Sequence, residues 1–248
     1  MPAGQLEGKV AIVTGGAGGL GRATSQALST AGARVLIVDV DERGGREVAE
    51  AVGGDFFAAD VSRPEDNEAL VGAAVDRFGG VDLVHLNAGV TSGCGVGEDF
   101  DPARYSRAMG VNLDGVVFGT HAALPALEAR GRGAIVATAS LAGLTGVPLD
   151  PLYAANKHAV IGLARSLGPA LFERGIRFNA VCPGFSDSTM IDPIREQLAQ
   201  ERIPVIPAEA VADAVLCLFA GDMTGECWFV QAGREAGPFR FRGIPGPR

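Results

Sequence analysis

The sequence predicts a doubly wound α/β domain, a mostly parallel sheet with helices on both faces. Three observations carry this reading. Apolar runs of strand length alternate with longer helical stretches along the chain, and parallel neighbours need such long crossovers. The strand-length runs are continuously apolar rather than alternating, which fits strands covered on both sides. A glycine-rich turn joins the first strand to the first helix, where this fold class opens a ligand crevice.

The elements follow in order. Residues 9–14 (KVAIVT) form a β-branched run that ends in glycines, a first strand. Residues 20–31 have helical spacing. Residues 34–39 (RVLIVD) are the second strand, 43–52 an Arg/Glu-rich helix, and 55–59 a short third strand. Residues 64–78 begin with Pro64 near the first helical position and place Leu70, Ala74 and Phe78 on one side. Strand four covers 81–86. Residues 102–129 read as helical, with only a weak break at 110–112. Strand five covers 133–139, a long apolar helix 153–173, strand six 176–182, a helix 207–220 and a last strand 227–231.

Composition supports one domain over residues 1–248. The chain is 47% hydrophobic and 20% charged, enough for a packed core and unlike a disordered chain. Its 36 glycines show no G-x-y period, so they point to tight turns and close backbone approach rather than collagen. A net charge of −8 disfavours nucleic acid, whose phosphates attract basic surfaces. No apolar run approaches the roughly 20 residues of a membrane span. Cys94, Cys182, Cys217 and Cys227 are widely spaced and there is no secretory leader pattern, so the expectation is reduced thiols and a cytoplasmic location. Two segments stand out, 185–207 on the substrate side and a Gly/Pro-rich tail at 233–248.

Residues 14–21 read TGGAGGLG between the first strand and the first helix. Glycines there let the backbone approach a pyrophosphate, and the helix start offers free N–H groups. Asp39 ends the second strand about 20 residues on, where an acid accepts hydrogen bonds from the adenosine ribose and repels a 2′-phosphate. Asp39 therefore predicts NAD over NADP; the alternative is a residue that only caps a turn. Tyr153 and Lys157 lie four apart on one helical face. An ammonium favours phenolate, so the pair suits proton transfer to an alcohol or carbonyl. The chain holds two tyrosines and two lysines, which makes the coincidence of one of each at this spacing informative.

These pieces, with Asp60–Val61, Asn87–Ala88–Gly89, Asn112, Ser140, the YAANK of 153–157 and the NAVCPG of 179–184, resemble the short-chain dehydrogenase/reductase family along nearly the whole chain. The resemblance implies a single Rossmann domain with a seven-stranded parallel sheet in the order 3-2-1-4-5-6-7, and a homodimer or homotetramer. It implies catalytic roles for Asn112, Ser140, Tyr153 and Lys157. Asn112 would hold a water relaying protons to Lys157. Ser140 would bind the substrate oxygen, Tyr153 would transfer the proton, and Lys157 would hold the nicotinamide ribose and lower the Tyr153 pKa. It implies cofactor contacts by Gly15, Gly19, Leu20, Gly21, Asp39, Asp60, Val61, Asn87, Ala88, Gly89, Tyr153, Lys157, Pro183, Gly184 and Ser188, with Thr189 an alternative to Ser188. Asn87 would brace the central sheet. Leu86 stands where the family often has a second Asn, and His85 falls on an apolar strand, where a core histidine is expected rather than a catalyst. His121 and His158 have no metal-ligand pattern, so no metal site is expected.

The stretch 141–149 (LAGLTGVPL) and Phe185, Met190, Ile191, Ile194 and Leu198 are apolar, with Arg195 the one cation nearby. Such a lining suits a hydrophobic secondary alcohol or ketone, unless these side chains serve the core or an interface. The expected activity is thus an NAD-dependent alcohol dehydrogenase. A biosynthetic ketoreductase of 3-oxoacyl or polyketide type and a non-catalytic dinucleotide-binding protein are the alternatives. In the tail, Phe239 and Phe241 alternate with arginines, which suggests docking across a subunit interface rather than a disordered end.

Overall fold

A computed structural model describes residues 4–243. Its sheet has the order β3-β2-β1-β4-β5-β6-β7-β8. The strands are β1 (Val10–Thr14), β2 (Arg34–Asp39), β3 (Asp55–Ala58), β4 (Leu83–Leu86), β5 (Gly133–Thr138), β6 (Ile176–Pro183), β7 (Cys227–Val230) and β8 (Gly237–Pro238). The first seven pair in parallel in the expected order. The expected count of seven is corrected to eight. Gly237 and Pro238 pair antiparallel with Phe229 and Trp228 on the outer edge of β7. Gly and Pro are poor strand formers, so nothing in the local sequence announced this strand.

The helices are α1 (Gly19–Thr30), α2 (Glu42–Val52), α3 (Pro64–Phe78), α4 (Pro102–Met109), α5 (Gly115–Ala129), α6 (Pro151–Phe172), α7 (Arg195–Gln200) and α8 (Ala208–Ala220). Alternate residues of the continuously apolar strands feed two cores. Leu36, Val38, Val84 and Ile135 pack on the side of α3, α5 and α6. Val35, Ile37, Leu83 and Val136 pack on the side of α1, α2 and α8. Strands covered on both faces lose a whole layer from water on each side, which favours a run of Val, Ile and Leu over alternation.

The stretch expected to be helical over 102–129 is interrupted. A single π turn, Gly110–Asp114, separates α4 from α5. The substrate-side segment contains a 3-10 turn, Thr189–Ile194, followed by α7. The described part of the tail docks on its own chain. Phe239 N donates to Cys227 O at 2.7 Å, Phe241 packs against the core under α6, and the Arg165 guanidinium lies 4.1 Å over the Phe241 ring. Residues 244–248, including Arg248, lie outside the described part. Among the described residues no helix is long and apolar enough to cross a membrane.

Candidate active site

The expected site residues gather at the C-terminal ends of the strands, the side on which open α/β sheets bind ligands. The glycine turn after β1 is shaped by two contacts. Gly15 has φ +63°, and a Cβ there would stand 2.8 Å from Ala88 Cα. A Cβ on Gly21 would stand 2.1 Å from Gly15 O. Helix α1 then starts at Gly18 with no side-chain cap and no acid in its first turn. Its first N–H groups are free to meet an anion. Leu20 packs half-buried beneath this turn. Asp187 O and Ser188 Cα would lie 2.8 and 3.1 Å from a Cβ on Gly19, so the segment after β6 passes over the turn. The cradle and the uncapped helix fit a dinucleotide pyrophosphate.

Asp39 both braces and remains available. Its carboxylate accepts from Ala17 N and Asp41 N, each at 3.0 Å. A carboxylate has about four acceptor positions, so roughly half stay open. Asp60 lies past β3, where its Oδ1 accepts from Ser62 N at 3.0 Å and Ser62 Oγ at 2.7 Å. Val61 is buried, and its carbonyl accepts from Asn67 Nδ2 at 2.8 Å.

A polar chain ties the centre of the sheet to this turn. Thr14 Oγ1 accepts from Asn87 N at 2.9 Å and Ala88 N at 3.2 Å. Asn87 Nδ2 donates to Thr14 O at 3.0 Å and Gly15 O at 3.2 Å. Thr138 Oγ1 donates its one proton to Asn87 Oδ1 at 3.1 Å. His85 Nε2, 2.9 Å from the same hydroxyl, must therefore be the donor to it. Nδ1 is then bare, and it has no partner among the described residues. Burial pushes the His85 pKa down to about 3, so the ring is neutral and serves the core. Thr138 O accepts from Lys157 Nζ at 2.8 Å. The chain thus runs from Lys157 through Thr138 and Asn87 to Gly15.

Asn112 sits in the π turn, fully buried. Its amide is used on the Val90 backbone: Oδ1 accepts from Val90 N and Nδ2 donates to Val90 O, both at 2.8 Å. The amide thus ties the π turn to the loop that follows β4. A Cβ on Gly89 would lie 3.3 Å from Asn112 Oδ1 and 3.5 Å from Lys157 Nζ, so the three positions adjoin. Ser140 follows β5. Its hydroxyl accepts from Ala142 N at 3.1 Å, which starts a 3-10 turn, and donates to Pro183 O at 3.4 Å. Gly184 N donates to Val230 O at 2.9 Å. Ser188 Oγ donates to Ser186 O at 3.3 Å and is half-buried, whereas Thr189 is exposed.

Tyr153 and Lys157 share one face of α6, with Nζ 5.6 Å from the centroid of the Tyr153 ring. The expected lowering of the Tyr153 pKa is corrected. Burial of the phenol pushes it up to about 12; the Ser140 hydroxyl pulls down, and the Asp150 charge pushes up. The Lys157 hydrogen bond goes to Thr138 O rather than to the phenol. Burial also brings the Lys157 pKa down to about 8.

Two site residues, Thr138 and Asp150, escaped the sequence reading, and Thr14 entered it only as the first residue of the glycine turn. Thr14 and Thr138 each hold two strand ends together, a role visible only once the strands are side by side. Asp150 caps α6 by accepting from Tyr153 N at 3.0 Å. Asp150–Pro151 is an N-cap followed by proline at the first helical position, a local signal that was available. On the substrate side, Phe185, Met190 and Ile194 are exposed, while Ile191 and Leu198 turn into the core. Arg195 is paired with Asp187 at 2.8 Å and Asp192 at 2.9 Å, so it is committed to its own segment. Among the described residues no group of three or more His, Cys, Asp or Glu could hold a metal.

Known proteins are similar to this chain along most of its length. Residues 9–199 match the family model described as short chain dehydrogenase. The chain is 36% identical over 232 residues to short-chain dehydrogenase reductase 3a of Arabidopsis thaliana, covering 88% of this chain and 90% of that protein. It is 34% identical over 226 residues to cyclohexanol dehydrogenase of Acinetobacter sp. (strain SE19), covering 88% and 90%. The structure superposes on 3-ketoacyl-(acyl-carrier-protein) reductase from Brucella melitensis, complexed with NADH, with a TM-score of 0.87 at 30% identity, covering 93% and 99%.

Proposed function

The chain belongs to the short-chain dehydrogenase/reductase family, and from that premise we propose that it is an NAD(H)-dependent oxidoreductase interconverting a hydrophobic secondary alcohol and its ketone. One observation carries the proposal: Ser140, Tyr153 and Lys157 stand together beside the glycine cradle, with apolar Phe185, Met190 and Ile194 on the substrate-side segment.

A nicotinamide held past Pro183, Gly184 and Ser188 would accept or supply the hydride. The chain's own residues do the rest. Ser140 donates a hydrogen bond to the substrate oxygen. Tyr153, a phenol already protonated at neutral pH and held more firmly so by burial, gives its proton to that oxygen in reduction and takes it back in oxidation. Lys157, fixed through Thr138, stabilises the phenolate that reduction leaves behind. Asn112, which adjoins Lys157 across Gly89, would hold a water that relays protons to Lys157. Gly15, Gly19, Leu20, Gly21, Asp60, Val61, Asn87, Ala88 and Gly89 line the cofactor side. Asp39 favours NAD, because a 2′-phosphate would meet a carboxylate. A homodimer or homotetramer in the cytoplasm completes the proposal.

The test follows reduced nicotinamide by absorbance with NAD or NADP and a panel of cyclic and open-chain secondary alcohols, including cyclohexanol. The expected result is NAD-dependent turnover that Tyr153→Phe lowers by about a hundredfold or more. Preference for NADP would overturn the Asp39 argument alone. The likeness to a 3-ketoacyl reductase favours a second reading, reduction of an acyl-linked ketone. Turnover of a 3-oxoacyl thioester well above every simple ketone would select it. NADH binding without turnover of any panel member would point to a binding protein.

A further inference from the structure

The loop between β4 and α4 leaves the site at Gly89, where a Cβ would lie 3.5 Å from Lys157 Nζ, and α6 begins at Pro151. Residues 88–96 of that loop carry no charged side chain. One residue joins the loop to the helix. Asp150 Oδ1 accepts from Tyr153 N at 3.0 Å, as an N-cap should. The same oxygen also accepts from Ser92 Oγ. Asp150 Oδ2 accepts from Ser92 N at 3.1 Å. Ser92 is buried and Asp150 half-buried, 58 positions apart in sequence. A helix cap needs one acceptor. The second oxygen and the serine hydroxyl are surplus to capping, and both are spent on the loop.

We propose that Asp150 is a positioning residue: it latches the 88–96 loop to the first turn of α6, so that the proton-transfer group Tyr153 and this loop keep a fixed separation. The inference rests on the reading of Tyr153 given above. Around the phenol, the charged groups are Asp150 at the cap and Lys157 one turn along α6, with the neutral Ser140 hydroxyl from the end of β5. Within 88–96 the Cys94 thiol is the one titratable group; Glu98, Asp99 and Asp101 follow it before α4, and Arg104 of α4 reaches back to Gly93 O at 2.8 Å. Of these, Asp150 is the anion that opposes phenolate formation. The latch therefore has an electrostatic signature as well as a mechanical one.

Three variants separate latch from cap. Asp150→Ser keeps a good N-cap but is too short to serve Ser92. Asp150→Asn keeps one acceptor for the cap and loses the charge. Ser92→Ala removes the hydroxyl and leaves the cap intact. In the full chain, hydrogen exchange at Ser92 N–H should accelerate about tenfold or more in Asp150→Ser while exchange at Tyr153 N–H stays near wild type. In a Tyr105→Phe background Tyr153 is the one tyrosine. Its ionisation, read as near-ultraviolet phenolate absorbance after a rapid alkaline pH jump, should move to lower pH in Asp150→Asn and Asp150→Ser. In turnover, Ser92→Ala and Asp150→Ser should raise KM by several-fold more than they lower kcat, and the pH profile of kcat/KM should shift down with the charge change only.

Unchanged exchange at Ser92 together with an unmoved phenol titration would leave Asp150 a helix cap and overturn the latch. The first two readouts use neither cofactor nor substrate. If no alcohol is turned over by the wild type, the functional reading fails while exchange and titration still decide the latch.

Discussion

His85 shows how a single buried side chain shapes the pH response. Its strand neighbours in register are Val13 and Val136, so it occupies an apolar slot and is neutral there, with its pKa pushed down to about 3. In the unfolded chain the same ring titrates near 6.5. The unfolded state therefore binds more protons between those two values. Stability is untouched by His85 above pH 6.5 and falls as pH drops through the window, by a few kcal/mol in full. His85→Val removes this loss, although it also frees the Thr138 hydroxyl. Denaturant melts of both proteins should show the wild type's advantage shrinking by about 1–2 kcal/mol between pH 6.5 and pH 5. A gap that stays constant over this range would mean that the ring titrates in the fold as it does in the unfolded chain. Lys157 acts in the opposite part of the scale. Held at about 8 when buried, it favours unfolding below its ordinary value near 10.5, so its contribution improves as pH rises from 8.

The β1–turn–α1 unit is where local sequence and tertiary demand coincide. A Cβ on Gly21 would lie 2.1 Å from Gly15 O and 2.8 Å from Gly16 Cα, contacts with backbone that cannot swing aside. Gly21→Ala should force the turn open, lower NADH affinity at least about tenfold and cost roughly 1–3 kcal/mol of stability. Fluorescence titration with NADH and a denaturant melt measure the two effects separately. Unaltered affinity would mean that the turn does not hold the dinucleotide. This unit was legible because glycine is demanded by sterics and leaves a mark in the sequence. The seven parallel strands were legible for a similar reason, since burial on both faces demands unbroken Val, Ile and Leu. The π turn was not. It coincides with the Asn112 amide bonding the Val90 backbone, a contact across 22 positions that leaves the apolar pattern of 102–129 unchanged. Thr138 was hidden likewise, its partners being supplied by β4 and α6. The pKa of Tyr153 was misread in direction because spacing shows that Lys157 is near, but not that its hydrogen bond goes to Thr138 O or that burial outweighs it.

At the scale of the whole molecule, the question is how the sheet ends. An open parallel sheet leaves unpaired backbone groups along its last strand, and such an edge invites pairing with another chain. Here β8 covers part of β7, and the tail is clamped beyond it. Phe239 and Phe241 meet edge to face with centroids 5.0 Å apart, and Arg165 of α6 stacks on Phe241. The clamp joins β7 to α6, the helix that carries Tyr153 and Lys157. Removing residues 237–248 should therefore lower stability by roughly 1–3 kcal/mol, from lost apolar contact and the cation–π pair. It should also increase self-association through the bared β7 edge. Chemical melts combined with light scattering would read both. Because α6 is anchored from this side, the truncation should also raise KM for alcohol while leaving NADH affinity near wild type, since the glycine cradle lies on the other half of the sheet. A truncated protein that melts as before but changes its oligomeric state without aggregating would show instead that the tail's main partner is a neighbouring subunit.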